Sequence, residues 1–206
     1  MTIRFHKNDL SDLTHYVSCD AVAVDTETLG LNLLRDRLCI VQLSPGDGSA
    51  DVVQIEKGMT AAPNLTALLS DPAKTKIFHY ARFDVAILRQ NLGIHVDPVW
   101  CTKIASKLCR TYTDRHGLKD ITRELLGVDI SKQQQSSDWA AEQLTDAQLA
   151  YAASDVLHLH ALKEKLEFML RREERTHLAE ASFGFLPTRA ELDLKGWGET
   201  DIFAHS

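Results

Sequence analysis

The chain is poor in several things that would otherwise assign it a class. No apolar run in its 206 residues approaches the ~20 needed to cross a bilayer. The opening stretch, MTIRFHKNDLSDL, has no apolar core and no small-residue cleavage site, so it is not expected to be a secretory signal. The four cysteines (Cys19, Cys39, Cys101, Cys109) form no C-x-x-C pair and match neither zinc spacing nor a disulfide framework. They are expected to be buried thiols of a cytoplasmic protein. With 10 Gly and 5 Pro, collagen-like and low-complexity chains are excluded, and no Ser- or Pro-rich linker or internal repeat is visible. Basic residues are outnumbered, 23 against 29, for a net charge of −6. That argues against a protein holding long nucleic acid mainly through a basic surface. It leaves open an enzyme that meets a short anionic substrate through metal ions, whose own charge enters the balance.

What remains is an ordinary globular composition, 44% hydrophobic and 25% charged, sized for one domain. Ile3–Phe5 reads as a short edge strand, and Asn8 or Ser11 as the cap of a helix running to about Val17. Ala21–Leu29 (AVAVDTETL) is a strong strand with Val22 and Val24 on one face. Arg37–Leu43 and Ala50–Ile55 are two more, joined as a hairpin by the turn residues Ser44-Pro45-Gly46-Asp47-Gly48. A helix follows at Asn64–Leu69, a strand at Lys76–His79, a helix at Asp84–Asn91 stopped by Gly93, and a last strand at Val99–Cys101. Helices are expected at Thr102–Cys109, Leu118–Leu126 and Ser137–Ala141, then one long helix from a Thr145 cap to about Ser182. Phe183–Ser206 shows no clear period. The order gives an α/β layer fold with a mixed sheet of five to six strands flanked by helices.

Four carboxylates stand out by placement. Asp25 and Glu27, two apart in a strand, project from one face, and such a pair in a central strand is costly unless cations neutralise it. Asp84 lies just past a short strand, where a helix opens; Asp155 lies on a late helix, one turn after Tyr151. Hard oxygen ligands without Cys or an obligatory His suit Mg²⁺ or Mn²⁺, and several carboxylates around one point suit two ions ~3.5–4 Å apart, the arrangement of in-line phosphoryl displacement. Singly, each has a plainer reading: a solvated strand end, a helix-dipole charge for Asp84, a helix-surface hydrogen bond between Tyr151 and Asp155. The joint order is far more specific.

That order, Val24-Asp25-Thr26-Glu27-Thr28, then His79 ahead of Arg82-Phe83-Asp84, then Tyr151-Ala152-Ala153-Ser154-Asp155, resembles the DEDD superfamily of 3′→5′ exonucleases with the tyrosine-type third motif. Gly117-Leu118 and Ser137-Asp138-Trp139 also match stretches of ribonuclease D; relatives often carry Asn where His79 stands. The resemblance covers about residues 1–180. The helical domains that follow the nuclease in ribonuclease D have no counterpart in this sequence, which looks most like the NrnC (nanoRNase C) branch. The resemblance implies a ribonuclease-H-like exonuclease domain over 1–182 and hydrolysis of very short RNA, dinucleotides included, to mononucleotides. It also implies a homo-oligomer such as a closed ring or octamer. The tail 183–206 is then expected to pack on the domain or on a neighbouring subunit.

Carried over by motif, Asp25, Glu27 and Asp155 would hold the catalytic metal, Asp25 would touch the second, Asp84 would help through water, and Tyr151 would position the attacking water. Leu31 matches a position where relatives wedge a side chain between the last two bases; a core leucine is the alternative. His79 reads as a rim residue, Lys132 with Gln133, Gln134 and Gln135 as contacts to a terminal phosphate or sugar, and Trp139 either as a neighbour of substrate or as core. Residues 103–123 hold six Lys/Arg (Lys103, Lys107, Arg110, Arg115, Lys119, Arg123) against Asp114 and Asp120, a stretch suited to draw in phosphates or simply a solvated helix face. The same motifs would serve an exonuclease on DNA ends or tRNA 3′ ends. A non-catalytic nucleic-acid-binding module would be expected to have lost at least one of the acids.

Overall fold

The computed structural model describes residues 2–131 and 133–205. Six strands form one sheet: β1 (Thr2–Lys7), β2 (Ala21–Thr28), β3 (Leu38–Ser44), β4 (Ser49–Gln54), β5 (Thr75–Phe78) and β6 (Val99–Cys101). Their order is β1-β4-β3-β2-β5-β6, with β2, β3 and β4 an antiparallel meander and β1, β5 and β6 joined in parallel. This is the mixed α/β sheet expected. The motif strand β2 is interior, between β3 and β5, and β3 and β4 are buried at every residue.

Seven helices accompany the sheet among the described residues: α1 (Pro63–Leu69), α2 (Ala81–Leu92), α3 (Thr102–Cys109), α4 (Leu118–Leu126), α5 (Asp146–Leu157), α6 (Leu159–Arg172) and α7 (Thr176–Leu194). Gly93 ends α2 in the left-handed region (φ 67°), a conformation that costs glycine nothing. Thr145 caps α5 in a reciprocal box with Gln148.

Four local expectations change. The helix expected to end near Val17 is a single turn of 3-10 helix at Thr14–Tyr16. Asn8 is left-handed (φ 67°), and neighbouring Asp9 caps α1 instead, accepting from the backbone N–H groups of Asn64 and Leu65 at 2.8 and 2.9 Å. The helix expected at Ser137–Ala141 is a turn. Asp138 accepts from Ala140 N–H, while Gln148 and Gln54 donate to the carbonyls of Asp138 and Ala141. The single long helix is three, broken at His158 and at Glu174 (φ 55°). No Gly or Pro marks those breaks; each helix takes the direction its buried stripe requires.

The fourth change is in the segment without a period: residues 183–194 complete α7. Ala179, Phe183, Leu186 and Ala190 form its buried stripe, and Phe183 meets Trp100 at 5.0 Å between ring centroids. Pro187 lies inside the helix; packing and ion pairs offset the missing backbone donor. Asp193 receives Arg82 at 2.6 and 2.7 Å and Arg189 at 2.6 Å, which ties the end of α7 to the start of α2. No disulfide forms, and Cys39, Cys101 and Cys109 are buried, with burial pushing all three thiols up.

Candidate active site

The site forms where β2 meets α5. Side-chain alternation puts Asp25 and Glu27 on one face of β2, opposite Gln42 and Ile40 of β3. The register slips between Glu27 and Thr28, a bulge of the kind that re-aims a side chain at a strand end. The same face is covered by α5, whose Ala152 joins Cys39, Ile40, Val52 and Trp139 in a small apolar cluster. One turn on, α5 delivers Asp155. Oxygen atoms of Asp25, Glu27 and Asp155 all lie within 4.8 Å of one another.

Asp84 arrives from the first turn of α2 and is buried. Thr26, which alternates to the other face of β2, donates its hydroxyl to Asp84 at 2.6 Å. Asp84 is therefore beside the trio rather than within its oxygen cluster, yet it is close enough to raise both Asp25 and Glu27 electrostatically. Burial, then Asp84, Asp155 and Glu27, hold Asp25 well above the usual carboxylate range. Glu27 is pushed up to about 8 by burial and by Asp155 and Asp84. Burial pushes Asp84 up to about 7, against the Thr26 hydrogen bond. It pushes Asp155 up to about 7 against a bond from Tyr151. Tyr151 itself is raised, by burial and then by Asp155, Glu27 and Asp25, so its hydroxyl keeps its proton. Four raised acids with no basic partner among the described residues are the pattern expected of a cation site. An all-oxygen donor set fits a hard divalent ion such as Mg²⁺.

A cavity of about 360 Å³ opens over this cluster, lined among others by His79, Lys103, Lys119, Ser131, Gln135 and Tyr151. Of the residues singled out by sequence, the fold brings Asp25, Glu27, Tyr151, Asp155 and His79 to this cavity, with Asp84 behind it. His79 also pairs with Thr102 at 2.8 Å. Trp139 is not on the cavity wall: it is buried and lies against the Tyr151 ring, 5.9 Å between centroids. Leu31 is 84% exposed and borders a separate hollow with Tyr80, Arg82 and Phe83. Gln134 accepts from Ser137 and is not among the lining residues, where Gln135 stands instead. Lys132 lies outside the described residues.

The basic stretch divides. Lys103 and Lys119, in the first turns of α3 and α4, reach the cavity. Arg110 is fully buried and bonded to Ser106, the Arg115 carbonyl and Glu124. Thr26 and Ser131 were not foreseen, whereas Gln135 belongs to the polar stretch 132–135 expected beside the substrate. Thr26 had one sequence signal, its position between the two acids on the alternate face; a loop residue such as Ser131 had none.

Comparison with known proteins agrees with this geometry. The family described as 3'-5' exonuclease matches residues 4–171. A ribonuclease D from Acidiphilium cryptum is 36% identical over 154 residues, 75% of this chain but 39% of its own length. The chain thus spans about two fifths of the curated relatives it matches. Among solved structures, Brucella melitensis NrnC with bound Mg²⁺ is 66% identical with a TM-score of 0.96, covering 100% of both chains. Brucella melitensis NrnC bound to pGG is 67% identical with a TM-score of 0.97, again over 100% of both. Escherichia coli RNase D gives 25% identity and a TM-score of 0.74 over 84% of this chain and 46% of that one. By motif, fold and matched length, the chain belongs to the DEDD-superfamily 3′-5′ exonucleases, in the ribonuclease D-like group and on its NrnC branch.

Proposed function

We propose that this chain is a metal-dependent 3′→5′ exoribonuclease that hydrolyses short RNA, dinucleotides included, to 5′-mononucleotides. The observation that carries the reading is the trio of carboxylates within 4.8 Å, raised together and facing a cavity that also holds Lys103 and Lys119. In this reading Asp25, Glu27, Asp84 and Asp155 hold two Mg²⁺ or Mn²⁺ ions. Bound there, the ions would supply Lewis-acid activation of water and charge neutralisation at the phosphorus.

The protein groups do the rest. Tyr151, still protonated, orients the attacking water from beside Asp155. Trp139 backs the Tyr151 ring and limits its movement. Lys103 and Lys119 offset the phosphate charge that four carboxylates would otherwise repel. His79, fixed by Thr102, borders the bound strand. Leu31, on an exposed loop, would reach the bases only as a rim group. The modest cavity favours a short substrate, and pGG, two nucleotides long by its name, is the ligand of the related Brucella protein.

The same reading makes the protein a cytoplasmic homo-oligomer; no helix among the described residues is long and apolar enough to cross a membrane. Exposed Leu31, Leu34, Trp197, Ile202 and Phe203 support assembly with further copies. Light scattering that finds a monomer would refute assembly alone.

The test of activity is a time course on a 5′-labelled dinucleotide, a long RNA strand and its DNA equivalent, with Mg²⁺ or Mn²⁺ and with EDTA. Fast, EDTA-sensitive cleavage of the dinucleotide with slow attack on long strands is expected. Laddering of long RNA or DNA with the dinucleotide left intact would overturn the short-substrate reading.

A further inference from the structure

Gln42 is the group that neither the fold nor the proposed chemistry employs. It is fully buried on β3, and neither its Nε2 nor its Oε1 has a hydrogen-bond partner among the described residues. The other buried side chains left short lack one atom's partner each: Arg110 Nε, Trp139 Nε1, His160 Nδ1 and Arg189 Nε. Among the described residues, only at Gln42 is a whole buried amide unpaired. Proteins pair their buried amides almost without exception, because an unpaired one carries its full desolvation cost.

The position is specific. Gln42 stands directly opposite Asp25 in the β2–β3 ladder, so both side chains share one face. Opposed residues in such a ladder have Cβ atoms ~4.5–5.5 Å apart. Val52 flanks Gln42 on β4, and Ile40, one alternation along β3, faces Glu27. Apolar residues therefore fill this face well, and a leucine or methionine would pack at position 42 without leaving an amide unpaired. Two other glutamines close by are employed: Gln54, on the same face of β4, and Gln148 of α5 hold the turn at 138–141. An amide beside Asp25 offers two N–H donors to a carboxylate that, when ionised, only accepts.

We propose that Gln42 is a positioning residue for Asp25: its Nε2 donates to the Asp25 carboxylate and orients it toward the cation in the loaded protein. This rests on the metal-dependent reading above. Partners that hold a ligand from behind set metal affinity as the ligands themselves do.

The test uses the full chain, as wild type, Gln42→Met and Gln42→Leu. Thermal melts in EDTA are compared with melts in Mn²⁺, and Mn²⁺ affinity is measured by calorimetric titration. In EDTA the variants are expected to melt at or above the wild-type temperature, because an unpaired amide has been removed. Their Mn²⁺ affinity is expected to fall by about tenfold or more, with a smaller cation-induced rise in melting temperature. A plain structural role moves the two readouts the other way: melting in EDTA falls while Mn²⁺ affinity holds. Unchanged Mn²⁺ affinity in a folded variant overturns the proposal while leaving the metal reading intact. Loss of a cooperative melt in both variants would also overturn it, by making Gln42 a structural group. A wild type that binds no Mn²⁺ would bring down the metal reading itself, and this proposal with it.

Discussion

The sheet buries two acidic sites, and they are built on opposite terms. At β4, Asp51 is surrounded by donors: Arg4 at 2.7 and 2.8 Å, His6 at 2.7 Å and the Tyr16 hydroxyl at 2.5 Å. Burial alone would raise Asp51, but the bonds from Arg4, Tyr16 and His6 outweigh it and hold the carboxyl below its ordinary value. Around β2, burial raises Asp25, Glu27, Asp84 and Asp155, and neighbouring acids raise Asp25 and Glu27 further. One site is complete within the chain. The other has no basic partner among the described residues. A buried carboxylate is thus no sign of function by itself; an uncompensated cluster is.

The largest expected effect is at the incomplete site. Asp155→Asn should lower dinucleotide hydrolysis by on the order of 10³-fold or more, read from steady-state rates. Full activity in that variant would remove Asp155 from the machinery.

Next in size, Asp51→Asn leaves Arg4 and His6 facing a neutral amide and should cost about 3 kcal/mol in urea unfolding, with rates per folded molecule unchanged. Asp25→Asn, measured in EDTA at neutral pH, should instead stabilise the chain, since it removes a carboxyl that folding forces to hold a proton. Equal signs for the two asparagine variants would erase the distinction between the sites.

The pH dependence should split the same way. Asp51, held low, contributes stability that is present above the usual carboxylate range and is lost as pH falls through its folded value. Glu27, Asp84 and Asp155, raised to about 7–8, keep protons that the unfolded chain releases. In EDTA their part of the stability is therefore present at acid pH and declines as pH climbs from about 4 toward about 8. Melting curves across that range should show the decline, and Mg²⁺ should remove it. A flat curve in EDTA would mean that the cluster carries no such cost.

Smallest of all, Tyr151→Phe should slow turnover by about tenfold to a hundredfold and leave the cation-induced rise in melting temperature unchanged. A lost rise would make the hydroxyl a support of the ligand set rather than of the water.

Alternation along AVAVDTET places Asp25 and Glu27 on one face whatever the rest of the chain does, because a strand repeats every two residues. Helical spacing puts Tyr151 and Asp155 one turn apart in the same way, and Gly93 and Thr145 mark helix ends through their own backbone and side-chain chemistry. These local rules made the interior strand, the hairpin and four of the five motif residues readable, with Asp84 at the opening of α2 as the fifth. Elsewhere the deciding partners are distant in the chain. Residues 183–194 are helical because Phe183 finds Trp100 and Asp193 finds Arg82. Asp9 serves α1 rather than the turn beside it. Trp139 backs Tyr151 from inside the protein, and Gln42 stands opposite Asp25 only because β3 lies in register with β2. Periodicity is written in neighbouring residues, so the chain alone settles it. Contacts across tens of residues depend on which surfaces meet, and packing of the whole sheet against its helices settles those.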